Sequence, residues 1–173
     1  MPFHPPPLKL KGAKMKEIKL TQGKVALVDD EDFEELNRFK WQAHKSGKTF
    51  YAARRMVDEG KRKFLTMHQS ILNPIVGFKT DHKDGNGLHN WRSNLRYATH
   101  SQNVANAPKR KGAISIFKGV SPLPTYINAR WVAYIRVNGE GKYLGCFANE
   151  TDAAVAYDKA AREFFGEFAR TNF

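Results

Sequence analysis

Apolar and polar positions alternate from Ile18 to Val28, with Ile18 and Leu20 before Gln22-Gly23 and Val25 and Leu27 after it. A period of two marks half-buried strands, and the dipeptide marks a turn between them. The period then lengthens. Phe33, Leu36 and Phe39 or Lys40 recur at helical spacing. Asp29-Asp30-Glu31-Asp32-Phe33-Glu34-Glu35 opens that stretch with six acids in seven positions. Carboxylates there cap free N–H groups and favour the helix dipole, so the run reads as a helix start and not as a metal site. Strand character returns in Trp41–His44 and Thr49–Ala53 around Ser46-Gly47, and in Lys63-Phe64-Leu65 beyond the turn Glu59-Gly60. Thr66 to Leu72 is a short helix stopped before Pro74.

Phe78 to His82 is the next short strand. Asp84-Gly85 and Asn86-Gly87 mark tight turns. The loop Leu88 to Asn94 is rich in side chains that bond their own backbone. The strand Leu95-Arg96-Tyr97-Ala98 follows, then a helix with Thr99 as N-cap and Asn103 about one turn in. Beyond it, Ile116 to Val120 reads as a strand. Arg130 to Val137 alternates: Trp131, Ala133, Ile135 and Val137 take one face, Arg130, Val132, Tyr134 and Arg136 the other. Asn138-Gly139 turns the chain into the strand Lys142–Phe147. A helix from Glu150 to Phe165, capped by Asn149 and ended by Gly166, buries Ala153, Tyr157, Ala160 and Phe164.

Charge changes this picture. In 173 residues, 29 Lys and Arg face 17 Asp and Glu, a formal net charge of +12. Such an excess points to a polyanion, with nucleic acid first and an anionic membrane surface second. No apolar run approaches the length of a spanning helix, and no signal-peptide apolar region opens the sequence. A single cysteine, Cys146, excludes an internal disulfide and Cys-rich zinc sites, and is read as a small buried hydrophobe in a reducing, intracellular setting. Residues 1–15 read as a basic, proline-rich tail. Lys109, Arg110 and Lys111 make the connector over 107–113 basic, a flexible linker whose cations are also candidates to track a nucleic-acid backbone. Of the histidines, His44 and His89 are expected at the surface, His68 as a satisfied structural histidine, and His100 at the surface or facing phosphate.

The chemistry gathers between Asp81 and Asn103. The string Asp-His-x-Asp-Gly-x-Gly-Leu-x-Asn-x-x-x-Asn-Leu-Arg begins at Asp81, and Asn103 follows on the next helix. This order resembles the ββα-metal motif of the HNH nucleases, in particular the endonucleases of phages and mobile introns. The resemblance implies that Asp81 and Asn103 bind a divalent metal, that His82 is the general base, and that Asn94 holds the loop and so orients His82. Asn90 is given similar work in the loop. An imidazole suits the base because it titrates near neutrality. Oxygen ligands favour Mg2+, or Mn2+, over a soft His-rich site. Arg96 is placed either to reach a phosphate or as a strand-face arginine.

The segments around Lys118-Gly119-Val120, Trp131–Arg136, Tyr143–Phe147 and Ala153–Asp158, with the closing Gly166–Phe173, resemble the AP2 DNA-binding domain. Lys118, Arg130, Arg136 and Tyr143 match DNA-facing positions of that family, and Tyr134 and Lys142 join them as DNA-binding candidates. Ser121 and Leu123 stand where the family commonly has basic residues, so sequence preference does not carry over.

The expected architecture is therefore α+β: a small N-terminal β/α unit leading into a ββα-metal HNH motif (16–106, with its core about 77–106), the linker, and an AP2-like three-stranded antiparallel sheet with one helix over 114–173. The expected function is a Mg-dependent, homing-type HNH endonuclease acting on double-stranded DNA, nicking as a monomer. The alternative is a catalytically inactive, sequence-specific DNA-binding regulator.

Overall fold

The computed structural model describes residues 14–123 and 130–173. The tail expected over 1–15 therefore falls almost wholly outside the described residues, as does most of the loop from Pro122 to Asn128. The chain is mixed α and β, with small antiparallel sheets and, among the described residues, four α-helices. It divides into two units, up to Ala98 and from Thr99 onward.

In the first unit, β1 (Met15–Lys19) and β2 (Val25–Asp29) pair antiparallel, with Met15 opposite Asp29 and Lys19 opposite Val25. The expected turn joins them, with Gln22 in the left-handed region at φ 61°. Helix α1 (Asp30–Leu36) opens on the acidic run, with three acids in its first turn. It is shorter than the apolar spacing predicts. The chain leaves the helix after Leu36, and Phe39 is exposed with the Arg54 guanidinium 4.0 Å over its ring.

Strands β3 (Gln42–Ser46), β4 (Thr49–Asp58) and β5 (Lys61–Thr66) form an antiparallel meander with β4 in the middle. Helix α2 (Met67–Ile71) starts where Gln69 Oε1 accepts from the Thr66 N–H at 3.1 Å. Strands β6 (Lys79–His82) and β7 (Leu95–Ala98) form a two-stranded ladder with Asp81 opposite Arg96 and His82 opposite Leu95. One apolar cluster unites these pieces: Ile18, Val28, Leu36, Trp41, Ala52, Met67 and Leu95 are all buried in it. Each large aliphatic side chain so buried contributes about 1.5–3 kcal/mol relative to exposure.

The second unit begins with α3 (His100–Asn106). Thr99 Oγ1 accepts from the Gln102 N–H at 3.3 Å, and Gln102 Oε1 accepts from the Thr99 N–H at 2.8 Å, a reciprocal cap. Strands β8 (Val120–Leu123), β9 (Arg130–Val137) and β10 (Glu140–Phe147) follow in the spatial order β10-β9-β8. Helix α4 (Glu150–Phe165) covers one face, with Asn149 Oδ1 accepting from the Asp152 N–H at 2.9 Å. Ala105 of α3 packs in the same apolar cluster as Ile135, Tyr157 and Phe165, which is why α3 groups with this unit.

Two sequence expectations change here. The strand expected at Ile116–Val120 begins only at Val120. The preceding residues turn instead: the Phe117 N–H bonds Ser115 Oγ at 2.9 Å, and Gly119 sits at φ 75°. On α4 it is Phe165, not Phe164, that is buried, because the buried face extends around to Ala154 and Ala161. The buried carboxylate of Asp158 then ties the closing segment down. It accepts from the backbone N–H groups of Asn172 and Phe173, while Asn172 Oδ1 accepts from the Lys118 N–H at 2.7 Å. No helix among the described residues is long and apolar enough to cross a membrane.

Candidate active site

The loop between β6 and β7 is built by its own amides. Gly85, at φ 79°, closes a turn on the His82 carbonyl at 2.9 Å. The Asp84 carboxylate accepts from the Asn86 N–H at 2.9 Å and from Asn94 Nδ2 at 3.0 Å. Asn94 Oδ1 in turn accepts from the Asp84 N–H at 3.1 Å, and its Nδ2 also reaches the His89 carbonyl at 2.9 Å. Asn94 thus spans both arms of the loop, and the Lys83 N–H bonds its carbonyl at 2.9 Å. The loop is anchored to β2 by two backbone bonds, Leu27 N–H to Leu88 O at 2.9 Å and Asn90 N–H to Leu27 O at 2.7 Å.

The acidic run has a second task that the sequence did not reveal. Asp32 accepts from both Nε and Nη2 of Arg92, at 2.9 and 2.6 Å, and Asp29 accepts from the Arg92 N–H at 2.6 Å. These bonds hold Arg92 above its ordinary pKa and fix the far side of the loop to the start of α1. A basic residue in an amide loop, some sixty positions after an acidic run, gives no local signal.

His82 lies at the centre, only 5% exposed. Its Nε2 is 3.2 Å from Asn90 Oδ1. Asn90 is itself fully buried and turns its Nδ2 toward the Gly87 carbonyl, which leaves Oδ1 for the histidine. An amide oxygen only accepts, so Nε2 carries the proton and Nδ1 is the basic atom of the ring. Burial lowers the pKa of His82. The Asn90 bond and the carboxylates of Asp84 and Asp81 oppose that, but the net direction is down, toward the neutral imidazole.

Asp81 is buried beside it and accepts from Arg96 Nε at 2.9 Å. Arg96 is therefore not on the surface: it is 8% exposed and paired across the ladder, so the strand-face alternative describes it better than the phosphate-facing one. Asn103 stands on α3 in the second unit and is partly buried.

Two aromatic side chains complete the first unit's site. The His68 ring meets the His82 ring edge to face at 5.1 Å, and Tyr51 lies 5.5 Å from the first and 5.8 Å from the second. His68 Nε2 is 2.9 Å from Thr66 Oγ1, while its buried Nδ1 has no hydrogen-bond partner among the described residues. The expectation of a satisfied structural histidine is thus corrected. Burial, reinforced by His82, pushes its pKa down to about 3. Its sequence signal, a histidine one residue into a short helix, is too common to have singled it out. Burial first, then Asp81, raises the Tyr51 phenol above its ordinary range. His89 is not merely solvated either: Nδ1 bonds Asp84 Oδ2 at 2.5 Å, and Asn86 Nδ2 donates to Nε2 at 2.9 Å. Burial alone would raise Asp84, but the Asn86 N–H, His89 and Asn94 hold it below its ordinary value. His44 is exposed, as expected.

The basic candidates of the second unit separate into two groups. Arg130, Tyr134, Arg136 and Tyr143 are exposed on the sheet face away from α4, with the two tyrosines paired across β9 and β10 and their rings 5.3 Å apart. Lys142 pairs with Ile135, which puts it on the opposite side, its ammonium 5.7 Å over the Phe164 ring of α4. Lys118 is turned inward. Its ammonium donates to the carbonyls of Ala105 and Ala107 at the end of α3, and burial, with Arg170 nearby, pushes its pKa down to about 8. In the connector, Lys109 Nζ donates to the carbonyls of Ser115 at 2.5 Å and Ala113 at 3.3 Å, while Arg110 and Lys111 are exposed. Cys146, opposite Val132, is partly rather than fully buried.

No family model matches the chain, and no solved structure matches it. An uncharacterized HNH endonuclease of Acanthamoeba polyphaga mimivirus is 32% identical over 157 residues, covering 87% of this chain and 76% of the relative. An AP2/ERF and B3 domain-containing transcription repressor of Arabidopsis thaliana is 42% identical over 73 residues, 42% of this chain but only 19% of the plant protein. A transcription factor of the same description and plant is 42% identical over 73 residues, 20% of its own length. The chain thus joins a similarity to AP2/ERF proteins, spanning about a fifth of them, with a similarity that runs through most of its own length. With that second similarity at 32% identity over 157 residues, the chain belongs to the HNH endonuclease family.

Proposed function

We propose that this protein is a metal-dependent endonuclease that hydrolyses phosphodiester bonds in double-stranded DNA, with His82 as general base. The observation that carries the reading is the His82–Asn90 contact beside buried Asp81. Nε2 is committed to Asn90, so Nδ1 takes the proton of the attacking water, and the depressed pKa keeps the ring neutral and receptive. Asn90 fixes the tautomer and the ring plane. Asn94 holds the loop that carries Asn90.

The donor set fits a hard cation. Asp81 offers hard carboxylate oxygen in a buried position, where Arg96 Nε also donates to it at 2.9 Å. Such chemistry suits Mg2+ or Mn2+, which take few protein ligands and complete their shell with water and phosphate. Asp81 and Asn103 would hold the ion. When bound, it supplies Lewis-acid stabilisation of the phosphate and the departing 3′ oxygen.

In the second unit, Arg130, Arg136, Tyr134 and Tyr143 present a cationic, aromatic face suited to duplex DNA. The relatives named as transcription regulators support a DNA-binding role for such a module. One such centre among the described residues supports nicking by a monomer, and the order of motifs supports a homing-type enzyme. The test is conversion of supercoiled plasmid to open circle with Mg2+ titrated in. His82→Ala should abolish nicking while duplex binding persists. Unchanged nicking by that variant overturns the assignment, and binding without any nicking by the wild type favours the inactive regulator.

A further inference from the structure

The meander β3–β4–β5 has two unlike faces. One carries Ala43 and Ala52 into the core. The other follows from the register: Tyr51 lies opposite His44, and Arg55 opposite Phe64. Between Tyr51 and Arg55 the middle strand offers only Ala53, fully buried. Over that small residue the outer strands' rings meet, with His44 and Phe64 stacked at 5.4 Å and an interplanar angle of 29°. The Arg55 guanidinium lies 5.8 Å from the Phe64 ring centroid. Arg62, opposite Val57, extends the same face. Phe64 is 52% exposed and Val57 69%, and none of the positions on this face is acidic.

An aromatic pair held in water beside two arginines gains little for the fold alone. Surface cations near an aromatic contribute only about 0.5–1 kcal/mol. The face also has an origin. Tyr51 belongs to it, and the Tyr51 ring is 5.8 Å from that of His82. A polyanion lying along the His44–Phe64 stack would therefore end at the base assigned above. The His44 ring is stacked on Phe64 and the Arg55 guanidinium lies over the same ring, which leaves its edge, rather than an open face, to a ligand. That arrangement suits the backbone and groove wall of a duplex better than an inserted base, which needs a free aromatic face.

We propose that this face of the β3–β5 meander is a second DNA-binding surface. Arg55 and Arg62 contact phosphates flanking the scissile bond, and the His44–Phe64 pair packs against the sugar-phosphate wall. The proposal rests on the duplex-cleaving reading given above, and it is separable from it by experiment. Binding of the full-length protein to a fluorescent duplex is measured without divalent metal across a salt series, and plasmid nicking is measured in parallel with Mg2+. Arg55→Ala combined with Arg62→Ala should weaken binding about 10- to 100-fold and reduce the slope of log K against log salt by about 2, since each phosphate contact contributes about 0.9. Phe64→Ala should weaken binding with no change in slope.

The control pair is Lys45→Ala with Lys61→Ala. These lysines lie opposite Phe50 and Asp58 and so on the other face of the same strands. This pair should bind nearly as the wild type does. Equal losses in both double variants would show a bulk-charge effect and overturn the proposal. So would unchanged affinity in the arginine variant, or a loss confined to single-stranded probes. A wild type that binds duplex through this face but does not nick would overturn the nuclease reading and leave this surface standing.

Discussion

Asn90 accepts from Nε2 of His82 at 3.2 Å while being itself fully buried, so the orientation of the base depends on an amide that never meets solvent. Asn90 also bonds the backbone of β2 through its own N–H. The ring is thereby referenced to the core of the first unit and not to a mobile loop tip. Asn90→Ala should lower the nicking rate about 100-fold or more, the scale of positioned general-base catalysis, with duplex affinity unchanged. Asn90→Gln, which keeps the accepting oxygen but displaces it, should recover less than a tenth of the lost rate, about one power of ten at most. Equal rates for Asn90→Ala and wild type would show that the contact does not position the base.

His68 makes stability depend on pH in a defined direction. Its pKa falls from 6.5 toward about 3 on folding, because burial and the neighbouring His82 disfavour the imidazolium. The unfolded chain therefore binds more protons than the folded one between those values. Stability is fully present above pH 6.5 and is lost as the pH falls toward 3, at up to about 1.4 kcal/mol per unit. His68→Phe keeps an aromatic ring against His82 and Tyr51 but cannot take a proton. Its denaturant midpoint should fall less between pH 7 and pH 4.5 than that of the wild type. Parallel pH profiles for the two proteins would contradict the assignment.

Periodicity was enough to find most elements. β9 and α4 run from Arg130 to Val137 and from Glu150 to Phe165, as the alternation and the Asn149 and Gly166 signals indicate. The motif from Asp81 to Asn94 stood out because it is local: it runs from the end of β6 through one loop to the start of β7. What escaped was set by contacts distant along the chain. His68 and Tyr51 reach His82 through the packing of α2 and β4, and Arg92 reaches Asp32 across the first unit. Side-chain direction escaped too. Lys118 and Arg96 are cations that look outward in the sequence, yet one caps α3 and the other pairs with Asp81.

Lys118 and the pair Arg130 and Arg136 should respond to substitution in opposite ways. The Lys118 ammonium bonds two carbonyls at the end of α3, so Lys118→Ala removes hydrogen bonds from a charged donor, each on the scale of about 1.5–3 kcal/mol. The expected result is a lower melting temperature for the second unit with no change in the salt slope of DNA binding. Arg130→Ala and Arg136→Ala should leave melting unchanged and reduce the slope by about 0.9 each. Calorimetry and a salt titration on the three variants separate the roles. A loss of slope in Lys118→Ala without a loss of stability would return Lys118 to the DNA-contacting set.

Gly87 tests whether the packing of the loop against β4 supports the site. A Cβ there would lie 2.5 Å from the Tyr51 ring and 2.6 Å from the Phe50 carbonyl, and the Gly87 N–H bonds Thr49 Oγ1 at 3.0 Å. The carbonyl is backbone and cannot step aside, so Gly87→Ala must shift either Tyr51 or the loop that carries Asn90. Overpacking of this kind costs about 1–3 kcal/mol. Because Tyr51 and Asn90 both touch His82, nicking should fall by more than the folded fraction falls. Gly77→Ala is the matched control: its φ of 84° is strained for alanine, yet open space surrounds the position. That variant should lose about 1 kcal/mol of stability and keep the specific activity of the folded protein. Nicking that tracks the folded fraction equally in both would mean that the loop's contact with β4 stabilises the unit without positioning the base.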